Sequence, residues 1–297
     1  MRHGIVLLPE HGWKVAAERW RLAEQLGYDH AWTYDHLMWR WLADSNWYGG
    51  IPTLTAAATA TRTLGLGMLV ATPNFRHPVV LAKDLASIDD IAEGRLVCGL
   101  GAGAPGYDAR ILGGTPPRPR ESADRFEAFV ELLDSVLVRG SVDASSPWYT
   151  ASGVSFHPRA GDGPRLPFAV AATGPRGMAL TARFGQYWVT SGPPADFSGR
   201  PLREVMPELR RQIRDVEAAC ERAGRDPATL RRLFVADAAV GGITASVAAY
   251  EEAAGALEEA GFTDLVVHWP RPEPPYEGDE QIIFDFADKQ LRGETCR

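Results

Sequence analysis

The stretch from Leu64 to Gly103, LGLGMLVATPNFRHPVVLAKDLASIDDIAEGRLVCGLGAG, contains a complete strand–helix–strand unit. Its first part, Leu64–Ala71, is a short apolar run of the kind that forms a buried strand. Leu81 and Leu85 then recur at the spacing of one helical face, and Arg95–Leu100 is a second apolar run. This stretch therefore predicts one buried strand, a helix that packs on it, and the next buried strand.

The same alternation continues on both sides of this unit. Phe126, Phe129, Val130 and Leu133 recur at helical spacing and give the clearest helical pattern. Further strands are predicted at Gly4–Leu8, His30–Tyr34, Pro167–Ala172, Gln186–Thr190, Leu233–Val240 and Leu265–His268. Eight such units predict an α/β fold, a single (β/α)₈ TIM barrel domain spanning residues 1–297. Gly140–Pro167, which is rich in Gly, Pro, Ser and Asp, is predicted to be an insertion loop after helix 4 with room for a small hairpin.

A doubly wound open sheet is the competing architecture for the same alternation. It requires a glycine-rich turn directly after the first strand, where backbone N–H groups hold a pyrophosphate. Pro9-Glu10-His11 stands at that place, and this tripeptide has no glycine. The sequence therefore favours the barrel.

The composition excludes several classes of protein. The 297 residues carry 31 Lys and Arg against 38 Asp and Glu, and the net charge of −7 offers no basic surface for nucleic acid. No apolar run reaches the roughly 18 residues of a membrane helix, and the N-terminus lacks the pattern of a signal peptide. Cys98, Cys220 and Cys296 form no C-x-x-C pair, which fits a reducing compartment. We expect a cytoplasmic protein with neither a nucleic-acid nor a membrane partner.

Two common kinds of hydrolytic site are not indicated by the sequence. Metal-dependent hydrolytic barrels commonly begin with an H-x-H pair after the first strand, and this chain has no such pair. We therefore predict no metal site. A G-x-S-x-G turn, which would expose a nucleophilic serine, is missing as well.

The loops that follow the C-terminal ends of the strands carry the function of a barrel. In this chain those loops are polar and built largely from small residues, and the loop after the second strand adds several tryptophans. The residues concerned are Glu10, His11, Asp35, His36, Trp39, Trp41, Trp47, Thr72, Asn74, Gly101, Gly103, Thr173–Arg176, Thr190, Ser191, His268 and Trp269. Together they predict a pocket for a planar small molecule.

Three segments together resemble a known family. They are Asp35-His36, the stretch Leu64–Gly103, and Ala171–Gly192, which reads AATGPRGMALTARFGQYWVTSG. In this order they are similar to the bacterial luciferase-like flavin and deazaflavin oxidoreductases, with R-H-P at Arg76–Pro78 and E-G-R at Glu93–Arg95 as the more specific parts. The resemblance implies a barrel that holds FMN or the deazaflavin coenzyme F420 across its strand ends, usually in a homodimer packed through the early helices.

The resemblance also implies which residues hold the cofactor. A bulge in the third strand with a non-prolyl cis peptide bond is expected at Leu69–Val70 or at the next bond, where backbone would meet the ring. Gly174 and Pro175 open a helix whose N–H groups suit a phosphate, with Arg176 as a charged donor, although a plain β–α turn is the alternative. The predicted cofactor-binding residues are Leu69, Val70, Ala71, Gly101, Ala102, Gly103, Thr173, Gly174, Pro175, Arg176, Gly177, Thr190 and Ser191.

The catalytic residues that the resemblance implies are His36 and Asp35. An imidazole titrates near neutral pH, so His36 is predicted to transfer a proton, while Asp35 anchors the loop or the cofactor. A structural hydrogen-bonded pair is the alternative interpretation. The predicted substrate pocket consists of Glu10, His11, Trp39, Trp41, Trp47 and His268, and ordinary packing would explain the tryptophans equally well.

Two departures from the family bear on the substrate. In the family's sugar-phosphate dehydrogenases a catalytic glutamate follows the glycines after strand four and a lysine follows strand six, where this chain has Ala104 and Pro193-Pro194. A phosphorylated sugar is therefore not expected. The G-P turn and the Asp-His pair favour an F420-dependent oxidoreductase that transfers a hydride between the deazaflavin and a small organic substrate. The alternatives are an FMN-dependent monooxygenase that uses O₂ and reduced flavin from a separate reductase, and a flavin-binding barrel without activity.

Overall fold

The computed structural model describes residues 1–103, 107–158, 164–192, 199–237 and 240–291. Its strands are β1 (Arg2–Val6), β2 (His30–Tyr34), β3 (Gly65–Ala71), β4 (Leu96–Leu100), β5 (Ser141–Ser145), β6 (Thr150–Ser155), β7 (Phe168–Ala171), β8 (Tyr187–Thr190), β9 (Arg200–Pro201), β10 (Arg231–Val235), β11 (Val240–Gly241) and β12 (Asp264–His268). Its α-helices are α1 (Trp13–Gln25), α2 (Gly50–Ala60), α3 (Pro78–Ile91), α4 (Tyr107–Ile111), α5 (Pro119–Arg139), α6 (Pro175–Phe184), α7 (Leu202–Arg222), α8 (Val247–Glu259) and α9 (Gln281–Phe286).

Eight parallel strands close into a barrel in the order β1, β2, β3, β4, β7, β8, β10, β12, and β12 pairs back onto β1. The helices that connect consecutive barrel strands pack around it, and their apolar faces are buried. This arrangement confirms the predicted (β/α)₈ barrel. Because all eight strands run in the same direction, their C-terminal ends meet at one rim, which we call the C-terminal end of the barrel.

Large side chains fill the barrel because glycines on the neighbouring strands leave room for them. A Cβ atom on Gly67 of β3 would lie 2.3 Å from the ring of Trp32, and one on Gly4 of β1 would lie 2.1 Å from the ring of His30. Trp32 and His30 are both on β2 and both are almost fully buried. The glycines of β1 and β3 thus allow β2 to place two large rings inside the barrel.

One predicted segment contains the hairpin for which it left room, and another departs from its predicted boundaries. The Gly140–Pro167 insertion contains the antiparallel hairpin of β5 and β6, and residues 159–163 lie outside the described part of the chain. The predicted strand Leu233–Val240 is wrong at both ends, because the strand is Arg231–Val235. The N–H of Asp237 donates to the carbonyl of Val235 at 2.8 Å, so the chain turns there and ends the strand.

Candidate active site

His36 follows the end of β2 and is held by a carboxylate that sequence reasoning did not identify. Its Nδ1 lies 2.8 Å from Oδ2 of Asp108 in the short helix α4, and the other oxygen of Asp108 accepts the N–H of Leu37 at 3.0 Å. Asp108 is buried, whereas the side chain of His36 is 21% exposed. Because the carboxylate accepts from Nδ1, neutral His36 keeps its lone pair on Nε2, which has no hydrogen-bond partner among the described residues.

Asp35 supports this loop from inside the protein. Its carboxylate is buried, and both oxygens accept from the guanidinium of Arg76, at 3.0 and 2.6 Å. Both oxygens of this buried carboxylate are therefore engaged by one bidentate partner. The pair with Arg76 fits the predicted role of Asp35 as an anchor of this loop, and a direct catalytic role for Asp35 stays a prediction. Arg76 belongs to the R-H-P motif, so the motif's arginine acts from the following loop on the end of β2.

The third strand ends in the predicted irregularity. The peptide bond Leu69–Val70 is cis, and the pairing of β3 with β4 shifts register between Met68 and Ala71. Both parts of that prediction are confirmed. A Cβ atom on Gly101 would lie 2.5 Å from Cγ2 of Val70, so the glycine lets the bulge approach β4. Cofactor contact by Leu69, Val70, Ala71 and the Gly101–Gly103 segment stays a prediction.

The start of α6 is open, but its arginine is engaged elsewhere. Gly174 is the residue before the helix, its side chain position faces open space, and no side chain caps the helix. Thr173 and Pro175 are exposed beside it. Arg176, however, donates to Asp124 and to Glu127 of α5, at 2.7 Å in each case. The first N–H groups of α6 therefore remain suited to an anion, while the guanidinium of Arg176 already has two carboxylate partners.

Hydrogen bonds of Thr190 hold the end of β8 in place. The hydroxyl of Thr190 donates to Oε1 of Gln212 at 2.7 Å and accepts the N–H of Gly192 at 3.1 Å. Thr190 is buried, and Ser191 next to it is partly exposed. Thr190 thus shapes the rim, and cofactor contact at Thr190 and Ser191 remains a prediction.

Two of the predicted tryptophans join an aromatic cluster at the barrel mouth. Trp39 stacks on Tyr276 with ring centroids 5.8 Å apart and lies 6.0 Å from Trp47. Tyr276 in turn stacks on His268 with centroids 3.5 Å apart. The structure therefore brings Trp39, Trp47 and His268 together, as expected for one wall of a pocket. Tyr276 was missed because no periodic pattern marks the loop in which it stands.

Hydrogen bonds continue this cluster into the barrel. Nε2 of His268 lies 2.7 Å from the hydroxyl of Tyr34, the last residue of β2, and its Nδ1 lies 3.0 Å from the carbonyl oxygen of Ala236. Burial lowers the pKa of His268 from 6.5 to about 4. Burial also raises the pKa of Tyr34 well above 10. Both groups are therefore neutral at physiological pH.

Three members of the predicted substrate pocket stand outside the aromatic cluster that the described residues form. Trp41 is 46% exposed in the 3₁₀ turn Arg40–Leu42, which buries Leu42, and the place of Trp41 in a substrate pocket stays a prediction. The carboxylate of Glu10 accepts from Arg271 and ties down the loop after β12. His11 accepts from Arg19 at 2.7 Å in an apolar groove beside α1 and α2. Glu10 is thus linked to the aromatic cluster through Arg271, whose backbone N–H donates to the carbonyl of Tyr276 at 2.9 Å.

Three positions used in the sequence analysis are not described by the structure, and two of the predictions concern features that it does describe. Ala104, Pro193 and Pro194, the positions that depart from the sugar-phosphate enzymes, lie outside the described residues. Within the described ranges, no group of three or more His, Cys, Asp or Glu side chains is arranged to hold a metal ion. In the same ranges, no helix combines the length and apolar composition that crossing a bilayer requires.

Comparison with known proteins identifies relatives that match most of the chain. The chain is 33% identical over 194 residues, 61% of its own length, to an F420-dependent glucose-6-phosphate dehydrogenase of Beutenbergia cavernae. It is 27% identical over 256 residues, 84% of its length, to an F420-dependent hydroxymycolic acid dehydrogenase of Mycobacterium tuberculosis. These alignments span 56% and 64% of the relatives' own lengths.

A solved structure and a family model extend the comparison. An F420-dependent secondary alcohol dehydrogenase in complex with an F420–acetone adduct superposes with a TM-score of 0.78 and 16% identity, covering 97% of both chains. At that identity the likeness shows the shared fold. The model of the luciferase-like monooxygenase family matches residues 1–290. The chain therefore belongs to the luciferase-like monooxygenase family.

Proposed function

We propose that this protein is an F420-dependent oxidoreductase that transfers a hydride between the deazaflavin coenzyme and a small organic substrate. The observation that carries the proposal is the pairing of His36 with Asp108 at the mouth of the barrel. A carboxylate that fixes one ring nitrogen and leaves the other without a partner among the described residues is an arrangement suited to proton transfer. The F420-dependent activities named for the relatives support the choice of coenzyme.

The residues at the strand ends suit such a coenzyme. The uncapped N-terminus of α6 offers backbone N–H groups and a positive dipole end to a phosphate, and Gly174 leaves its approach open. The bulge at Leu69–Val70 and the facing Gly101 place bare backbone at the same end of the barrel, where a flat ring system can lie against it. The bulge belongs to β3, Gly101 follows β4, the open N-terminus belongs to α6, and His36 follows β2.

The protein's own residues would then divide the work. When bound, the deazaflavin supplies a carbon centre that accepts or gives up a hydride. His36 takes the proton of the substrate hydroxyl on Nε2, and returns it in the reverse direction. Asp108 keeps the ring in the required tautomer and stabilises its protonated form. Arg76 holds Asp35 and so fixes the loop on which His36 stands.

Direct titration tests the proposal. The purified protein is titrated in parallel with F420 and with FMN, and the fluorescence of each is followed. We expect F420 to bind at least about tenfold more tightly, a difference of roughly 1.4 kcal/mol. Turnover is then measured with a panel of small alcohols and carbonyl compounds through the absorbance of the oxidised deazaflavin. Asp108→Asn should bind F420 as the parent does but turn over more slowly.

Each other outcome contradicts the proposal in a distinct way. Tighter binding of FMN with consumption of O₂ would favour a monooxygenase that receives reduced flavin from a separate reductase. Tight binding of F420 without turnover on any substrate would indicate a cofactor-binding barrel without activity. Measurement of the molecular mass in solution tests the predicted homodimer, and fractionation of cells tests the predicted cytoplasmic location.

A further inference from the structure

Four side chains at the C-terminal end of the barrel form a continuous chain of polar contacts. His268 contacts Tyr34 at 2.7 Å, Tyr34 contacts Tyr276 at 3.2 Å between their hydroxyl oxygens, and Tyr276 donates to Asp237 at 2.5 Å. We call these four residues the tyrosine chain. It runs from the buried ring of His268 to Asp237, which is partly exposed beyond the end of β10.

The tyrosine chain has one proton fewer than its contacts need. The carbonyl of Ala236 can only accept, so Nδ1 of His268 carries a proton and Nε2 accepts from Tyr34. The hydroxyl of Tyr276 donates its proton to the carboxylate of Asp237. No proton is then left for the contact between the two tyrosines, and this contact is the longest of the three. One added proton would turn every contact into a hydrogen bond.

The loop after β12 is built to hold Tyr276 in this place. Tyr276 has a φ of +67°, in the left-handed region that bulky residues rarely adopt. Its ring is stacked between Trp39 and His268, and Arg271 ties the same loop to Glu10. Because packing holds both aromatic faces, the hydroxyl of Tyr276 stays between Tyr34 and Asp237.

We propose that the tyrosine chain is a proton relay that carries protons between Asp237 at the rim and His268 inside the barrel, and so supplies a second acid–base group to the site. The proposal rests on the proposed function for its use, because the ring centroids of Tyr34 and His36 are only 6.2 Å apart. That the relay exists is argued from the geometry of the tyrosine chain alone.

The transfer balances without forming a tyrosinate. A proton from water binds the carboxylate of Asp237, and the hydroxyl of Tyr276 turns towards Tyr34. Asp237 then passes its proton to the oxygen of Tyr276, Tyr276 passes its own to the oxygen of Tyr34, and Tyr34 passes its own to Nε2 of His268. At the end His268 carries a positive charge, Asp237 is again a carboxylate, and both tyrosines are neutral. This agrees with the burial that raises the pKa of Tyr34 and of Tyr276 well above 10.

The experiment uses the protein alone, so it does not depend on any cofactor. Histidine is labelled with ¹⁵N, the tautomer of His268 is assigned by NMR, and the rate at which its Nε2 gains and loses a proton is measured by ¹⁵N relaxation dispersion at mildly acidic pH. We expect the Nδ1–H tautomer. Exchange should be about tenfold slower in Tyr276→Phe, which keeps the stacked ring but breaks the path, on the scale of one lost hydrogen bond. Asp237→Asn should slow the exchange as well.

A matched control removes a buried hydroxyl elsewhere. Tyr28 is buried and its hydroxyl has no hydrogen-bond partner in the part of the chain that the structure describes, so Tyr28→Phe should leave the exchange unchanged. Equal exchange rates in the parent, Tyr276→Phe and Asp237→Asn would overturn the relay, because His268 would then exchange through opening of the loop. Slower exchange in both variants of a protein that binds no F420 would keep the relay and reject the proposed coenzyme.

Discussion

The buried histidines at the two ends of the barrel carry their ring proton on different nitrogens. His30 and Tyr34 lie four residues apart on β2, and Asp264 and His268 lie four residues apart on β12, so each pair faces the same interior. At the N-terminal end, Trp32 donates to Nδ1 of His30, which leaves Nε2–H to donate to Asp264 at 3.0 Å.

The tautomer at each end follows from the partner that can only donate or only accept. At the C-terminal end the carbonyl of Ala236 requires a proton on Nδ1 of His268, whereas at the other end the indole of Trp32 requires a lone pair on Nδ1 of His30. Asp264 also accepts from Thr263 and Arg231. At the N-terminal end each of these contacts is thus a hydrogen bond, whereas the tyrosine chain at the C-terminal end has one proton fewer than its contacts need. We therefore expect substitutions at the N-terminal end to lower the free energy of unfolding, and substitutions at the C-terminal end to alter the catalysed reaction.

The largest expected effect comes from His36 at the C-terminal end. His36→Ala should lower kcat by a general acid–base factor of roughly 10²–10⁴, because it removes the imidazole that takes the proton of the substrate. Affinity for F420 and the free energy of unfolding should stay close to those of the parent. Steady-state kinetics and a binding titration check this prediction. A variant that turns over at the parent rate would remove His36 from the mechanism and direct attention to His268.

The next effect is expected at the N-terminal end. Hydrogen bonds from His30 and Thr263 hold the pKa of Asp264 below its usual value of 3.8 despite burial. Asp264→Ala should therefore cost about 3–5 kcal/mol of unfolding free energy, because His30 and Arg231 lose their buried partner. Asp285→Asn, at an exposed carboxylate of α9, is the control and should stay within about 0.5 kcal/mol. Denaturant titration measures both, and equal stability of the two variants would contradict the comparison.

The acid sensitivity of the fold should depend on His268. Burial lowers its pKa from 6.5 to about 4, so the unfolded chain binds the proton first as the pH falls. The contribution is fully present above pH 6.5 and is lost between about pH 6.5 and 4, which amounts to about 3 kcal/mol. His268→Gln should flatten the dependence of stability on pH in this window. His157→Gln, at an exposed histidine, should keep the parent's slope, and a similar flattening there would refute the assignment.

The smallest expected effects compare two glycines. Gly4→Ala should cost about 1–3 kcal/mol, because the new methyl group would overlap the ring of His30 and displace it from Asp264. Gly174→Ala should change stability by less than about 0.5 kcal/mol, because its Cβ would face open space. Thermal unfolding of the two variants measures the contrast. Destabilisation by Gly174→Ala of the size found for Gly4→Ala would mean that the two ends are packed alike.

The sequence predicted much of this molecule because its signals are local. The apolar runs located the eight barrel strands to within a few residues, except for the seventh, where the turn at Asp237 ends the strand early. The motif at Leu64–Gly103 also predicted the cis bond at Leu69–Val70. The burial of Leu42 and the exposure of Trp41 could not be predicted, because exposed and buried tryptophans look alike in a sequence and only the turn at Arg40–Leu42 decides which residue is buried.

The sequence by itself determined the barrel, the family and the position of His36, since periodicity and motifs are carried by neighbouring residues. The tertiary structure alone decided the partners. Asp108 stands 72 positions from His36, and Tyr34 stands 234 positions from His268. No local pattern encodes such pairings, because they arise only when the closed barrel brings the ends of β2 and β12 within reach of the loops that follow β4, β10 and β12.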